Sequence, residues 1–310
     1  MAIFRLRWNE YPPAGWLGGI TTIGNFDGVH LGHQELLKTC GELSSCRLPV
    51  VAVTFDPHPV QFLYPDRYQK PLMKLEDRCS RLQKCGADHV MVLQTTTELV
   101  SLSPLAFFET ILHQQLQIRG MVEGFNFRFG HNREGDNSLL EQLCQGSGIP
   151  FREVPPLKEN GIPISTSLIR KALLEGDLKS ANHWLNTPFT IEGKVVEGAR
   201  RGRTIGFPTA NLGEIVTILP ANGVYGVKVR HREQIYRGAA NIGPNPTFGE
   251  FAQKIEVFLL DFQGDLYGEN LQVDFWFRIR DTMKFSGVDA LVTQMNQDVE
   301  MVRRCISLEK

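Results

Sequence analysis

The hydrophobic pattern of this chain changes near Thr187 and Pro188, and the change divides the 310 residues into two parts. In the first part, apolar runs such as residues 50–55 alternate with segments of helical periodicity such as residues 74–85. Strands that alternate with helices of this length are typical of βαβ units and a parallel sheet. We therefore expect residues 1–186 to form an α/β domain.

The second part contains five strand-like segments separated by turn sequences such as Asn222-Gly223. One long segment of helical periodicity follows at residues 288–307. Several strands with turn signals between them, followed by a helix, predict an antiparallel β-barrel with a terminal helix over residues 187–310.

Composition and charge exclude several classes of protein. The 33 basic and 34 acidic residues nearly cancel, so no global attraction to nucleic acid or to an anionic membrane is expected. No apolar run approaches the ~20 residues that cross a bilayer, and the first residues do not resemble a signal peptide. The six cysteines have no metal-binding spacing. We expect a cytoplasmic enzyme with reduced cysteines and small-molecule substrates, whose oligomeric state the pattern leaves open.

A glycine-containing turn follows the first predicted strand and opens the first predicted helix. Its sequence is Gly24-Asn25-Phe26-Asp27-Gly28-Val29-His30-Leu31-Gly32-His33. Glycines allow the backbone to approach a ligand closely, and the start of a helix directs N–H groups and a positive dipole end towards an anion. His30 and His33 share one face of the first helical turn, where imidazoles could stabilise charge on a phosphate. The turn therefore predicts a phosphate site; the alternative is a surface loop with two exposed histidines.

A second glycine-rich segment lies in the predicted barrel. It reads Gly198-Ala199-Arg200-Arg201-Gly202-Arg203-Thr204-Ile205-Gly206-Phe207-Pro208-Thr209-Ala210-Asn211. A P-loop is excluded because the glycines enclose too few residues, Arg203 replaces the lysine, and no helical pattern follows. Such a segment could wrap phosphates while Thr209 and Asn211 supply oxygen ligands to Mg²⁺. From the residues alone, an ordinary surface loop fits equally well.

These motifs resemble those of known enzymes. His30-Leu31-Gly32-His33 resembles the HxGH motif of the nucleotidyltransferase superfamily, whose members have a doubly wound α/β fold. Residues 24–30, 54–59, 124–130 and 164–170 resemble one branch, the bacterial bifunctional riboflavin kinase/FAD synthetases. Residues 206–211 resemble the PTAN signature of riboflavin kinases, and the similarity covers nearly the whole chain. It implies an N-terminal doubly wound parallel-sheet domain (1–186) that adenylylates FMN, and a riboflavin kinase barrel with a terminal helix (187–310).

The resemblance also implies roles for individual residues. Glu256 would be the base for riboflavin's terminal hydroxyl, and His30, His33 and Arg170 would stabilise charge during adenylyl transfer. Thr209 and Asn211 would bind Mg²⁺. Contacts to nucleotide or flavin are implied for Gly24, Asn25, Phe26, Asp27, Gly28, Asn126, Ser165, Thr166, Gly198, Gly202, Arg203, Gly206, Phe207, Pro208 and Asn241. The substrates and products would be ATP, riboflavin, FMN and FAD, with Mg²⁺ as cofactor.

Three alternatives stay open on the sequence. Residues 165–167 read Ser-Thr-Ser rather than the family's Ser-Ser-Thr, and Phe125 stands where a polar residue is common, so adenylyl transfer could be the slower reaction. The acceptor could be another phosphate ester, with the barrel as an accessory domain. The chain could also be a non-catalytic flavin- or RNA-binding protein. Residues 206–211 and Glu256 argue against an accessory barrel, which has no need of them. The presence of His30 and His33 as well as Thr209, Asn211 and Glu256 argues against a non-catalytic protein.

Overall fold

The computed structural model describes residues 4–45, 48–198, 202, 205–245 and 250–308. The chain divides into two compact units, Met1–Ser165 and Thr166–Lys310. The predicted boundary between the functional domains, 186/187, lies further along the chain and stays a prediction. Within the described ranges, no helix is long and apolar enough to span a membrane. The five cysteines described are free thiols, and Cys40, Cys79 and Cys144 are buried.

The first unit is built on a six-stranded parallel sheet. Its strands are β1 (Phe4–Leu6), β2 (Ile20–Ile23), β3 (Val50–Asp56), β4 (His89–Gln94), β5 (Gly120–Gly124) and β6 (Phe151–Val154). They lie in the order β1-β4-β3-β2-β5-β6. From β2 the chain adds β3 and β4 on one side and β5 and β6 on the other, so the order reverses between β2 and β5. This arrangement is the predicted doubly wound sheet, and ligands bind such sheets at the reversal point.

Helices connect these strands. They are α1 (Leu31–Ser44), α2 (Pro59–Leu63), α3 (Leu75–Lys84), α4 (Thr97–Val100), α5 (Pro104–Phe107) and α6 (Asn137–Gly146), and a π-helical segment, Phe108–Gln115, continues α5. Two short strands, β7 (Lys158–Glu159) and β8 (Ile162–Pro163), pair with each other near the end of the unit.

The core of the first unit lies on both faces of the sheet. Val51 and Val53 belong to one buried cluster, whereas Val50 and Ala52 belong to a second. Successive residues of a strand point to opposite faces, so the two clusters lie on opposite sides of β3. Burial on both faces explains why this strand reads as an uninterrupted apolar run.

The second unit is a closed antiparallel barrel with helices before and after it. Two helices, α7 (Thr166–Glu175) and α8 (Leu178–Leu185), precede the strands, and α9 (Val288–Cys305) follows them. The strands are β9 (Phe189–Val196), β10 (Thr209–Gly213), β11 (Gly223–His231), β12 (Gln234–Asn245), β13 (Glu250–Leu259) and β14 (Asn270–Arg280). Their order around the barrel is β10-β13-β12-β11-β14-β9, which confirms the predicted fold.

One strand of the barrel was not predicted. Residues 209–213 were expected within a loop, but they form β10, which pairs with β9 and β13. Ala210 and Leu212 are buried, and they are too few for a two-residue period to be recognisable among Thr, Asn and Gly. The neighbouring strands supply the backbone hydrogen bonds that the local sequence does not specify.

Helix α9 is fixed to the barrel by apolar packing and by an ion pair. Val302 and Ile306 form a buried cluster with Leu260. The Arg280 guanidinium, at the end of β14, donates to both carboxylate oxygens of Asp298, with its Nη2 2.8 Å from Oδ2. The side chains of Arg280 and Asp298 are 17% and 5% exposed, so the pair is largely shielded from water.

Candidate active sites

The turn between β2 and α1 has an unusual backbone. Phe26, Gly28 and Val29 have positive φ values of 49°, 85° and 41°. Positive φ is rare for a β-branched residue and costs on the order of 1–3 kcal/mol, so surrounding contacts must hold Val29 in place. Its N–H donates to the Phe26 carbonyl at 3.0 Å, and its carbonyl accepts from Gln34 Nε2 at 2.9 Å. Strain of this kind is concentrated at functional sites.

Hydrogen bonds of two buried side chains also hold this turn in place. Arg78 on α3, 6% exposed, donates from Nη1 to the Asn25 carbonyl at 2.8 Å and from Nη2 to the Phe55 carbonyl at 3.0 Å. The Asp27 carboxylate accepts from the Leu72 N–H at 2.8 Å. The turn is therefore held by hydrogen bonds to two other segments of the unit, one through Arg78 on α3 and one through Leu72.

His30 and His33 come together at the start of α1. His30 is the N-cap residue, and the first helical hydrogen bond runs from Gln34 N–H to the His30 carbonyl. The N–H groups of residues 31–33 therefore have no acceptor within the helix. The two imidazole rings stack, with centroids 3.7 Å apart. An edge contact between His33 and Phe26 (5.2 Å) completes the group.

Burial sets the charge of both histidines. It lowers the pKa of His30 to about 4. Burial lowers the pKa of His33 well below its ordinary range, and the neighbouring His30 and Arg78 lower it further. Both imidazoles are therefore neutral at neutral pH, and each carries one N–H donor.

Buried polar atoms without partners mark this turn as a ligand site. Among the residues that the structure describes, Nδ1 of His30, Nδ1 of His33 and Oδ1 of Asn25 are buried and have no hydrogen-bond partner. Native proteins rarely leave such atoms unpaired, so these atoms have capacity for a bound molecule. The carbonyl oxygen of Ile164 lies 3.7 Å from where a Cβ on Gly32 would be, which brings the Ser165 segment to the same turn.

The remaining predicted residues of this site lie on two other segments. Asn126 is exposed in the turn after β5, where Phe127 N–H donates to the Gly124 carbonyl at 3.0 Å. That turn is at the same edge of the sheet as the Gly24 turn, because both follow carboxyl ends of adjacent parallel strands. Ser165 is the last residue of the first unit. Thr166 and Arg170 are on α7, in the second unit.

In the barrel, a row of polar side chains crosses three strands. Glu256 on β13 is in register with Asn211 on β10 and with Asn241 on β12. Residues opposite each other in antiparallel strands point to the same face, so Glu256 lies directly between the two asparagines. Thr209, two residues before Asn211, shares that face. The alternate residues Ala210 and Val257 are buried in the barrel, so the polar row lies on its outer surface.

Two glycines, Gly198 and Gly202, pack tightly against this row. A Cβ on Gly198 would lie 2.1 Å from Nδ2 of Asn211. A Cβ on Gly202 would lie 2.1 Å from the Phe207 carbonyl and 3.4 Å from Oγ1 of Thr209. Glycine is therefore required at both positions for the segment to approach Thr209 and Asn211 so closely.

Comparison with known proteins places both units in one family. A family model described as FAD synthetase matches residues 14–168, and one described as riboflavin kinase matches residues 185–306. A relative from Escherichia coli named bifunctional riboflavin kinase/FMN adenylyltransferase is 37% identical over 295 residues, covering 94% of each chain. A relative of the same name from Listeria monocytogenes is 38% identical, covering 92% of this chain and 91% of its own. The chain belongs to the bifunctional riboflavin kinase/FMN adenylyltransferase family.

A solved structure shares the architecture over the full length of the chain. The crystal structure described as a macrolide-efflux protein from Streptococcus pneumoniae is 33% identical, with a TM-score of 0.87. It covers 98% of this chain, and 100% of its own chain is matched. Family membership confirms the prediction of an enzyme of flavin biosynthesis with riboflavin kinase and FMN adenylyltransferase activities.

The other predicted residues of the kinase domain are placed only in part. Phe207 is buried and contacts Phe258 edge-on at 5.3 Å, whereas Pro208 is exposed. Gly206 has a φ of 85°, which favours glycine. Arg203 lies outside the described residues.

Sequence reasoning missed two buried charged residues that contact the Gly24–His33 turn or the strand before it. Arg78 lies on an amphipathic helix, where an arginine is normally solvated, so no local signal marks it. Glu123 gives a weak signal, since a charge interrupts the apolar run of β5. The structure buries both, with 6% and 1% of their surfaces exposed.

Proposed function

We propose that residues 1–186 adenylylate FMN and that residues 187–310 phosphorylate riboflavin, both in the cytoplasm and at separate sites. The single observation that carries the kinase assignment is the register that sets Glu256 between Asn211 and Asn241. The observation that supports the transferase site is the stacked, buried pair of His30 and His33 at the start of α1.

In the kinase reaction, Glu256 acts as the general base. Riboflavin's terminal hydroxyl is neutral, so its attack on the γ-phosphorus of ATP is helped by a group that takes its proton. The Glu256 carboxylate accepts that proton as the new O–P bond forms and the bond to the β-phosphate oxygen breaks, releasing ADP. Within the described ranges, the Glu256 side chain makes no hydrogen bond or ion pair with another residue, so its carboxylate oxygens are available for this role.

The same face of the barrel fits a magnesium ion. The Thr209 hydroxyl and the Asn211 amide supply hard oxygen donors two residues apart on one strand. In the part of the chain that the structure describes, no group of three or more His, Cys, Asp or Glu side chains could hold a metal. Thr209 and Asn211 would therefore share the ion with nucleotide phosphates, as is usual for Mg²⁺. When bound, it would neutralise charge on the transferring phosphoryl group.

In the adenylyl transfer, no protein base is needed. The phosphate of FMN is already ionised when it attacks the α-phosphorus of ATP, and the bond to the β-phosphate breaks to release pyrophosphate. The site must align the two phosphates and stabilise the accumulating negative charge. The imidazole N–H groups of His30 and His33 supply donors, and an approaching anion would raise the pKa of both rings and favour their charged forms. The resemblance to known enzymes implies phosphate contacts for Ser165, Thr166 and Arg170 as well.

Two substitutions test the assignment in one chain. His33→Ala should abolish conversion of FMN to FAD and leave riboflavin phosphorylation intact. Glu256→Gln should do the reverse when FMN is supplied directly. Each activity is followed by chromatography of riboflavin, FMN and FAD, with the exposed residues His113 and Glu233 substituted to Ala and Gln as matched controls. If either substitution removed both activities in a folded protein, the two-site assignment would fail.

A further inference from the structure

Glu123 is a buried acidic residue for which the proposed reactions have no use. It lies on β5 with 1% of its surface exposed. Acidic residues are almost never buried to this degree unless a partner or a function retains them. Its surroundings therefore require an explanation.

The central strands of the sheet form a fork at this residue. The last residues paired between β2 and β5 are Thr21 and Met121. Beyond them, β2 stays paired with β3 through Ile23, and β5 stays paired with β6 through Gly124. The two strands thus separate from each other while each remains bonded to its outer neighbour. The fork coincides with the reversal of strand order, where ligands bind sheets of this kind.

The Glu123 carboxyl closes the base of this fork. Its Oε1 accepts from the Ile23 N–H at 2.6 Å. Without this acceptor the Ile23 amide would be buried and unpaired, which is strongly unfavourable. One side chain of β5 therefore ties that strand to Ile23, the last residue of β2.

The two strand ends that this hydrogen bond joins lead directly into the proposed site. Ile23 precedes Gly24, the first residue of the turn that ends with His30 and His33. Gly124 precedes the turn that contains Asn126. A change in the separation of the two strand ends would shift one turn against the other.

We propose that Glu123 is a positioning residue for adenylyl transfer, whose carboxyl sets the spacing between the histidine turn and the Asn126 turn. The proposal rests on the proposed role of the histidine turn. Burial raises the pKa of Glu123 well above its ordinary value, which suits a fixed hydrogen-bonding group better than a group that exchanges protons during turnover.

Two variants distinguish the effect of the acceptor oxygen from the effect of side-chain volume at position 123. Glu123→Gln keeps a carbonyl oxygen for the Ile23 N–H, so its kcat for FAD formation should stay within about 3-fold of wild type. Glu123→Met has a similar length and no such acceptor. It should lower kcat by about 10-fold or more while the KM for ATP changes less than about 3-fold, because positioning acts on the transition state. Riboflavin phosphorylation by the same chain should be unchanged.

Three outcomes of these experiments would contradict the proposed role of Glu123 or the proposed site. A Glu123→Met protein with wild-type near-ultraviolet circular dichroism and wild-type kcat would overturn it. So would a Glu123→Gln protein that loses 10-fold or more, a result that remains decisive even if the methionine variant does not fold. If His33→Ala itself retained FAD formation, the proposed site would be wrong. If His33→Ala lost FAD formation while Glu123→Met kept full activity, the role of Glu123 would be refuted and the proposed site would stand.

Discussion

Substituting Gly198 by alanine should selectively inactivate the riboflavin kinase. The new Cβ would lie 2.1 Å from Nδ2 and 2.6 Å from Cγ of Asn211. Atoms in ordinary contact are about 3.5 Å apart, so the Asn211 amide or the segment that contains Gly198 must move by about 1.4 Å. A displacement of about 1 Å in a catalytic arrangement can lower the rate by about 100-fold. We therefore expect kcat/KM for riboflavin to fall by about 100-fold, or about 2.7 kcal/mol in transition-state stabilisation.

The assay compares two activities of the same protein. Riboflavin phosphorylation is measured as the initial rate of FMN formation, and FMN adenylylation by the same sample serves as the internal control. Gly287→Ala is a matched control in the second unit, because a Cβ there would have no atom within 4 Å. Unfolding of the barrel is excluded by thermal melting.

A double-mutant cycle tests the physical reason for the loss. Asn211→Ala alone should be strongly impaired, since it removes the proposed magnesium ligand. Adding Gly198→Ala to that variant should change the rate by less than about 3-fold, because the clashing amide is then absent. Additive losses would show that Gly198 acts through something other than Asn211. A folded Gly198→Ala protein with normal kinase activity would refute the reasoning altogether.

Two further predictions concern stability. Because burial lowers the pKa of His30 to about 4 from an ordinary value of 6.5, its contribution is fully present above pH 6.5 and is lost as pH falls towards 4, by about 3 kcal/mol. In urea titrations, His30→Gln should be less pH-dependent than wild type over this interval; parallel profiles would contradict the burial argument. Asp298→Ala leaves the Arg280 guanidinium without its carboxylate in a largely dry position, and should lower the free energy of unfolding of the barrel by about 3 kcal/mol. A loss below about 1 kcal/mol would mean that water replaces the carboxylate.

The sequence predicts the longer elements well and the short ones poorly. The buried strand β3 is recognisable as a continuous apolar run and the helix α9 by its helical periodicity, and the structure confirms both. The strands β1, β6 and β10 have three, four and five residues. At that length a two-residue period is not distinguishable, and pairing with neighbouring strands decides the conformation.

The two candidate sites also differ in how readily the sequence predicts them. The Gly24–His33 turn is contiguous, so its chemistry is visible in one segment of sequence. The polar row of the barrel is not, because only the strand register brings Asn211, Glu256 and Asn241 together. The resemblance to known enzymes implied roles for these residues, but no spacing along the chain predicts their contact. Burial of Glu123 gives only a weak signal in the sequence, since it depends on where two strands separate.

In the proposed assignment, two glutamates have different roles that follow from their surroundings. Glu123 is enclosed at the base of a fork, where burial favours its protonated form and makes it unsuitable as a base at neutral pH. Glu256 is half-buried on the outer face of a barrel, where water can reach its carboxylate. An alcohol nucleophile requires a carboxylate of the second kind, whereas an ionised phosphate nucleophile requires donors and fixed geometry. The parallel-sheet unit supplies buried neutral histidines and a rigid fork, and the barrel supplies a carboxylate that water can reach. The division between two domains therefore matches the difference between the two nucleophiles.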